Sequence, residues 1–236
     1  MTPKVICHIM SSVDGRLLPG RWTAPFDGTN PSELFKEYAA IGKNLDADAW
    51  MFGKATAREA FPYKFMSKGQ PIGKGGKIFV GNRKSSRLFI TVDPDADIFF
   101  TSDTLRGDNI LVVLGKNATE DYLSMLEEKG VSYIVADKPT DLRKVMEVIA
   151  SDFKVKCISL QGGGIIDGAM LAQGLIDELS LVIYPGIDGL TTSPSIFEYL
   201  GHSEERPADG QALEFLSMEQ KSHGIVWLRY KFHEKI

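Results

Sequence analysis

Apolar and polar positions follow two different periods along the chain. Short apolar runs rich in β-branched residues, such as 4–10 and 178–184, are typical of buried strands. Between these runs, segments such as 31–43 place apolar residues at helical spacing, with Pro31 suited to a first helical turn. Strands are predicted at residues 4–10, 47–52, 77–80, 88–92, 97–100, 110–114, 131–136, 155–160, 178–184, 212–219 and 224–233. Helices are predicted at residues 31–43, 118–129, 140–150 and 164–173.

This order of elements indicates the fold class. Strands alternate with helices until a final pair of strands joined at 222–224. The pattern predicts an α/β fold with a central, mostly parallel sheet, flanking helices and an antiparallel C-terminal hairpin. The 236 residues contain no internal repeat and no low-complexity linker, so a single domain spanning 1–236 is predicted.

Composition narrows the possible function classes. A formal net charge of −4 leaves no basic excess to neutralise phosphates, which argues against a nucleic-acid partner. No apolar run approaches the roughly 20 residues that a membrane span needs. The N-terminus lacks the long apolar segment of a signal peptide, so a cytoplasmic location is expected. Cys7 and Cys157 both lie in strand-like runs and are interpreted as small core residues rather than a redox pair.

Several common sites have no signature in the sequence. The four histidines are scattered, and no helical His pair or cysteine cluster indicates a metal site, so no metal is expected. No Gly-x-Ser-x-Gly elbow indicates a hydrolase. The Tyr-x-x-x-Lys pair of short-chain dehydrogenases is also missing.

Three consecutive glycines, Gly162–Gly164, stand where the strand at 155–160 passes into the helix at 164–173. A bare strand-to-helix turn lets backbone N–H groups approach an anion at the helix N-terminus. A tight turn packed closely against a neighbour would also need glycines, so both interpretations stay open. The turn is not the usual dinucleotide fingerprint, which belongs near the start of a domain. A second glycine-rich stretch, at 69–77, lacks P-loop spacing and is interpreted as a solvated loop.

Four motifs occur in an order that one known family shares. They are "SSVDGRL" after the first strand, "GRW" downstream, "FGKATAREAFP" after the second strand, and "QGGGIIDGAMLAQGLIDELSLVIYPGIDG". Together they resemble the reductase domain of riboflavin biosynthesis, the C-terminal domain of a bifunctional deaminase-reductase, whose fold is like that of dihydrofolate reductase. The resemblance covers about residues 5–197. Its last motif is the most specific, because the glycine turn, the helix length and Asp177-Glu178-Leu179 match together.

The resemblance implies an NADPH-dependent reductase and assigns cofactor contacts in this chain. The turn at 162–165 matches the segment that holds the pyrophosphate, and Thr56 matches a residue that caps a helix and touches the cofactor. The cationic run at 83–85 would suit the 2′-phosphate, although a solvated turn is an equal alternative. The implied cofactor-binding residues are Met10, Ser11, Trp22, Gly53, Thr56, Arg83, Lys84, Ser85, Gly162, Gly163, Gly164 and Ile165.

The implied reaction reduces the ribosyl group of a (phosphoribosylamino)pyrimidine to a ribityl group, with Ser12 and Gln161 on the substrate side. The positions expected on the substrate side depart from the family pattern. Ala60 and Phe61 stand where the family usually has carboxylates, and Gln161 replaces the acid that often opens the glycine turn. A divergent paralogue that reduces a pterin or another small carbonyl or imine compound is therefore a second hypothesis. A non-catalytic nucleotide-binding protein is a third.

Two carboxylates are candidate catalytic residues for proton transfer. Asp14 lies in the loop that leaves the first strand, where it could instead cap the turn before Gly15. Glu33 lies where dihydrofolate reductases carry a helix carboxylate, but an acid in a first helical turn also favours the helix itself. The resemblance further implies a homodimer, in which the apolar strand at 178–184 contributes to the interface or lies inside the sheet.

Overall fold

A computed structural model of the chain describes residues 1–234. Its elements, in chain order, are β1 (Lys4–Ser12), α1 (Pro31–Lys43), β2 (Ala49–Gly53), α2 (Lys54–Ala60), β3 (Ile78–Phe79), β4 (Leu88–Asp93), β5 (Thr104–Leu105), β6 (Asp108–Gly115), α3 (Glu120–Lys129), β7 (Ser132–Ala136), α4 (Leu142–Asp152), β8 (Cys157–Leu160), α5 (Gly164–Ala172), β9 (Glu178–Tyr184), β10 (Gln211–Gln220) and β11 (Val226–Glu234). The chain forms two compact units. Unit 1 contains residues 1–3 and 48–158, and unit 2 contains residues 4–47 and those from Ser159 onward.

Unit 1 is built on a sheet whose central strands run parallel. β2 pairs with β4, β4 with β6 and β6 with β7, while the short strands β3 and β5 add antiparallel pairs to β7 and β6. The central strand β6 is buried along its whole length, which explains its near-continuous apolar sequence. One face of the sheet packs against α3 in a core that includes Phe89, Ile110, Val112, Tyr122 and Tyr133.

Unit 2 contains the first strand of the chain and its C-terminal strands. β1 and β9 pair in parallel, with Ser12 opposite Tyr184, so their carboxyl ends lie at the same edge of the sheet. The end of β8 lies on the other side of β1. β11 pairs antiparallel with β9, and β10 pairs antiparallel with β11. Met10 and Leu34 belong to an apolar cluster that packs α1 against these strands.

Local sequence signals explain where the helices begin and end. Asn30 caps α1, because its side chain accepts a hydrogen bond from the Ser32 N–H at 3.0 Å. Thr119 caps α3, and that helix ends at Gly130 in the left-handed conformation, with a φ of 76°. The N-cap of α5 is different, since Gly163 has no side chain that could accept such a bond. The first turn of α5 therefore lacks the cap that α1 and α3 have.

The observed elements confirm the α/β fold class, with a mostly parallel central sheet, flanking helices and antiparallel C-terminal strands. The predicted helix at 31–43 and the predicted strand at 178–184 match the structure at both ends. The strand predicted at 97–100 is wrong. This segment forms only a single bridge, at Ile98, and Ile98 and Phe100 are buried as part of a loop. The single-domain interpretation stays a prediction.

The described residues bear on the expectations about membranes and cysteines. Among residues 1–234, no helix is both long and apolar enough to cross a membrane. Cys7 is a buried free thiol, and Cys157 is half-buried. For Cys7, the interpretation as a small core residue is confirmed.

Candidate functional site

The strands of unit 2 bring several of the candidate residues to one edge of the sheet. Ser12, at the end of β1, lies opposite the last residue of β9. The turn after β8 is next to the same part of β1, because a methyl group added to Gly162 would lie 2.8 Å from Ile9 Cδ1. Open α/β sheets bind ligands at the carboxyl ends of their parallel strands. Met10–Ser12 and Gly162–Ile165 therefore share the edge at which a ligand is expected.

The three glycines of the turn between β8 and α5 are bare for different reasons. Gly162 has a φ of 85°, and a side chain there would collide with Ile9. The peptide bond between Gly162 and Gly163 is cis. A methyl group on Gly164 would lie 2.3 Å from the backbone oxygen of Ser195, whereas one on Gly163 would meet no atom of the described residues within 4 Å. The left-handed φ at Gly162 and packing against backbone at Gly164 thus account for two of the glycines, and Gly163 faces open space.

The first turn of α5 presents unbonded backbone donors beside Gly163. The N–H groups of Ile166 and Asp167 donate to the Gly163 oxygen at 3.1 and 3.3 Å. Those of Gly164 and Ile165 have no acceptor inside the helix, as is general for the first residues of an α-helix. The positive end of the helix dipole adds to these donors. The arrangement suits an anion such as a phosphate group.

An aromatic cluster contains Met10 and Trp22, two residues that the resemblance places beside the nicotinamide. The Trp22 ring packs against Tyr184 and Phe35, with centroid distances of 4.9 and 6.4 Å. The Trp22 Nε1 atom is buried and has no hydrogen-bond partner among residues 1–234. A buried indole N–H usually finds a partner, so this donor is an unsatisfied polar group inside the cluster. The Trp22 residue as a whole is half-buried, so the exposed part of its side chain can contact a ligand.

Asp14 organises the loop that leaves β1. Its carboxylate accepts hydrogen bonds from Ser12 Oγ at 2.6 Å, from the Gly189 N–H at 2.8 Å and from the Asp188 N–H at 3.1 Å. The bond from Ser12 and those from the backbone lower the pKa of Asp14 to about 2. An acid that is ionised near neutral pH cannot donate a proton to a substrate, so the geometry favours the turn-capping alternative. The Ser12 hydroxyl also accepts from the Arg16 N–H, which ties it to the loop rather than leaving it free for a substrate.

Glu33, Gln161 and Ser11 also have partners within unit 2. Glu33 pairs with Lys36 at 2.7 Å, and its side chain is 49% exposed in the first turn of α1. That position favours the helix-stabilising alternative. The Gln161 amide donates to Ser159 Oγ at 3.0 Å at the end of β8. The buried Ser11 hydroxyl donates to the backbone oxygen of the following residue, Ser12. Gln161 therefore lies at the same edge of the sheet, held by Ser159 of β8.

Unit 1 contains the second candidate phosphate turn. Gly53 ends β2 and is the N-cap of α2, which has no side-chain cap. The capping role that the resemblance implies for Thr56 is therefore not observed in the described residues. Thr56 instead lines a cavity of about 360 Å³, together with the aromatic side chains of Trp50, Phe52 and Phe89.

The cationic segment Arg83–Ser85 lies far from the Gly53 turn. Gly53 pairs with the carboxyl end of β4, whereas Arg83–Ser85 precede its amino end. β4 spans about 20 Å at the usual rise per residue, so one phosphate cannot contact both segments. The arginine of the segment lies over the Phe153 ring, 6.0 Å from its centroid, and the serine donates to Asp108 at 2.9 Å. These contacts favour a turn without a phosphate, in which the arginine and the serine contact the protein itself.

A different cation, Lys54, lies at the Gly53 turn. Its Nζ atom pairs with Asp93 at 3.0 Å, with Asp95 at 2.6 Å and with Asp97 at 2.7 Å. Partial burial would lower the pKa of Lys54, but the hydrogen bonds that its ammonium group donates to the three carboxylates raise it above its ordinary value. The lysine is therefore charged and already surrounded by acids, so a 2′-phosphate at this turn would compete with them.

Motif reasoning from the sequence missed Asp167. This acid lies in the first turn of α5 and is completely buried. The available signal was an acidic residue inside the otherwise apolar segment Gly164–Ala172. Within residues 1–234, no group of three or more His, Cys, Asp or Glu side chains is arranged to hold a metal ion.

Comparison with known proteins extends these observations. A family model described as the RibD C-terminal domain matches residues 3–227. A pyrimidine reductase-like protein from Corynebacterium diphtheriae superposes with a TM-score of 0.69 at 20% identity, covering 99% of this chain and 93% of that one. The riboflavin biosynthesis reductase Rib7 of Saccharomyces cerevisiae gives a TM-score of 0.59 at 15% identity, with coverages of 98% and 90%. RibD of Acinetobacter baumannii gives 0.61 at 16% identity, and the chain covers only 58% of its length.

At these identities, the solved structures establish the shared fold. The family model adds the sequence pattern, because it extends over nearly all of the chain and includes the glycine turn and the aromatic cluster. The order of the motifs, the parallel sheet and the matched range agree with one another. The chain belongs to the RibD C-terminal domain family.

Proposed function

We propose that the protein is an oxidoreductase that transfers a hydride from NADPH to a small-molecule substrate. The observation that carries this proposal is the open face of Gly163 at the uncapped N-terminus of α5, in a chain of the RibD C-terminal domain family. A phosphate can approach such a turn without meeting a side chain. The resemblance to riboflavin-pathway reductases supplies the choice of NADPH.

In this proposal the bound dinucleotide supplies the hydride, and the protein supplies binding and orientation. The N–H groups of Gly164 and Ile165 hold a phosphate. Met10 and the Trp22 ring form an apolar wall beside the ligand. Asp14 keeps the loop after β1 in place as a carboxylate and does not supply the proton.

The remaining cofactor contacts that the resemblance implies stay predictions. They are Ser11 in unit 2 and, in unit 1, Gly53, Thr56 and the segment at 83–85. For the last of these, the structural contacts of Arg83 and Ser85 weaken the prediction.

The proposed substrate is a riboflavin-pathway (phosphoribosylamino)pyrimidine, whose ribosyl group is reduced to a ribityl group. The family match and the fold shared with Rib7 support this choice. One observation favours a different small carbonyl or imine compound, such as a pterin. Phe61, at a position where the family usually has a carboxylate, is 3% exposed and packs against Phe100 with a centroid distance of 5.1 Å. Phe61 belongs to the core of unit 1, so its side chain does not replace the substrate contact that a carboxylate at this position would make.

We also propose that the protein is a cytoplasmic homodimer. β10 exposes the apolar side chains Leu213, Phe215 and Met218 by 51, 58 and 65%. Exposed apolar side chains clustered on one strand mark an interaction surface more often than a solvated one. A second copy of the chain is the partner that the family resemblance implies.

Titration with NADPH and with NADH tests the proposed cofactor. We expect NADPH to bind with micromolar affinity and to change the tryptophan fluorescence, because Trp22 lies at the proposed site. Gly163→Val should weaken binding at least tenfold, since its side chain would occupy the open face of the turn. Gly20→Val is a matched control, because a methyl group on exposed Gly20 also meets no atom of the described residues within 4 Å. If neither nucleotide binds, the proposal is wrong.

A substrate panel separates the alternatives once binding is established. Oxidation of NADPH that depends on a riboflavin-pathway pyrimidine supports the proposed substrate. Oxidation with pterins or other carbonyl compounds, but not with that pyrimidine, would indicate a divergent paralogue. Tight cofactor binding without turnover on any compound would indicate a nucleotide-binding protein that does not catalyse reduction.

A further inference from the structure

Asp167 is a buried acid that the proposed cofactor contacts leave unexplained. It lies in the first turn of α5, is 0% exposed, and neither carboxyl oxygen has a hydrogen-bond partner among residues 1–234. Its Oδ2 atom is 3.5 Å from the place where a methyl group on Gly162 would lie. The carboxyl group therefore lies against the interior side of the glycine turn, whose outer side at Gly163 is open.

No cation in the described residues compensates a charge on Asp167. The Cys7 thiol faces it from β1 without forming a hydrogen bond of ordinary geometry, and the Tyr38 phenol approaches from α1. Glu198 lies against α5 near Gly164 and is itself an acid. Burial raises the pKa of Asp167 well above its usual range. Burial, together with the nearby Asp167, also raises the pKa of Cys7, so both groups are held in their neutral forms.

A neutral acid and a carboxylate at this position would affect a bound phosphate very differently. The carboxylate would place a negative charge behind the N–H groups of Gly164 and Ile165, and it would oppose the helix dipole that attracts the anion. At a separation of about 7 Å and an effective dielectric constant of about 20, two unit charges of like sign repel enough to lower affinity roughly 10- to 100-fold. The neutral acid has no such effect.

We propose that Asp167 is a positioning residue that must hold a proton for the cofactor to bind, so that binding at the glycine turn is coupled to one proton on this side chain. The inference rests on the proposed function, because it concerns the same turn. Coupling of this kind is reciprocal. Ionisation of Asp167 weakens the cofactor complex, and a bound cofactor draws the proton back from solution.

The test measures proton uptake during cofactor binding. Calorimetric titrations with NADPH, in buffers of different ionisation enthalpy, give the number of protons taken up per dinucleotide. Measurements above about pH 7.5 avoid the titration of the 2′-phosphate, whose second pKa is about 6. We expect uptake to rise towards one proton as the pH increases, while affinity falls by up to about tenfold per pH unit.

Two variants make the test specific. Asp167→Asn keeps the shape of the side chain but cannot ionise, so it should bind NADPH without proton uptake and with an affinity that does not change over this pH range. Glu198→Gln removes a neighbouring charge and should keep the uptake of the wild-type protein. Equal uptake in the wild type and in Asp167→Asn would overturn the coupling.

An infrared measurement decides the state of Asp167 without any cofactor. The wild-type protein should show the C=O stretching band of a protonated, buried carboxyl group, and that band should disappear as the pH rises. If no such band exists, the coupling is wrong even if Asp167→Asn fails to fold. NADPH binding without proton uptake would also refute the coupling alone, whereas no dinucleotide binding at any pH would refute the proposed function and the coupling together.

Discussion

Alanine at Gly163 and alanine at Gly164 are expected to have different effects on stability, although the two residues are neighbours. At Gly163, φ is −70° and ψ is 177°, which any residue can adopt, and an added methyl group meets no atom of the described residues within 4 Å. Gly163→Ala should therefore change the free energy of unfolding by no more than about 1 kcal/mol, because alanine restricts the unfolded chain but is a poorer N-cap than glycine. The same variant should bind NADPH at least tenfold more weakly, since the methyl group enters the proposed phosphate site.

Gly164→Ala should destabilise the fold. Its methyl group would lie 2.3 Å from the Ser195 backbone oxygen and 3.0 Å from Glu198 Cγ. A backbone atom cannot rotate away as a side chain can, so the structure must shift, at a cost of about 2–4 kcal/mol. For a chain of this size that cost corresponds to a fall in Tm of roughly 5–12 °C.

Chemical unfolding of the two variants, followed by circular dichroism, measures this difference. Thermal unfolding by calorimetry gives the matching shift in Tm. Similar stabilities for Gly163→Ala and Gly164→Ala would refute the reasoning, because it assigns one glycine to packing and the other to an open face. Loss of stability in Gly163→Ala alone would contradict it more strongly.

Three further predictions concern stability and assembly. The pKa of Asp167 is raised in the fold, so its neutral form stabilises the folded state at acid pH, and this contribution is lost as the pH rises. Asp167→Asn should therefore gain stability over the wild type by up to about 1.4 kcal/mol per pH unit above about pH 4. Denaturant unfolding at a series of pH values measures this gain. Burial lowers the pKa of His8 from 6.5 to about 4, so the wild type should lose about 3 kcal/mol as the pH falls through this interval. In the same measurement, the stability of His8→Gln should fall less as the pH is lowered through this interval. An equally steep fall in stability would contradict the attribution of the loss to His8. Phe215→Lys should convert the proposed homodimer to a monomer in analytical ultracentrifugation, whereas Glu219→Lys on the same strand should not.

Much of the fold follows from local sequence signals. The helix at 31–43 and the strand at 178–184 could be bounded closely, because Asn30 and Pro31 mark the helix start and Pro185 ends the strand. The error at 97–100 has a physical origin. Ile98 and Phe100 are buried in unit 1 without pairing as part of a strand, and an apolar run alone does not distinguish a buried loop from a buried strand.

The site was harder to predict than the fold, because it depends on which atoms tertiary structure brings together. The sequence identified the turn at 162–164, but only the structure separates the open face of Gly163 from the packed faces of its neighbours. The cations at 83–85 appeared suited to a phosphate, yet the direction of β4 places them at its far end from Gly53. The low pKa of Asp14 depends first on the nearby Ser12 hydroxyl but also on amides of residues 188–189, which are distant in sequence.

Turnover decides whether the protein is a reductase. Purified protein is mixed with NADPH and a riboflavin-pathway (phosphoribosylamino)pyrimidine, and the loss of reduced-nicotinamide absorbance is followed beside the formation of the ribityl product. We expect NADPH oxidation that requires the substrate, matches the product in amount and falls at least tenfold in Gly163→Val. Binding of NADPH with no oxidation on this compound or on any member of the carbonyl and imine panel would contradict the assignment of the protein as a reductase.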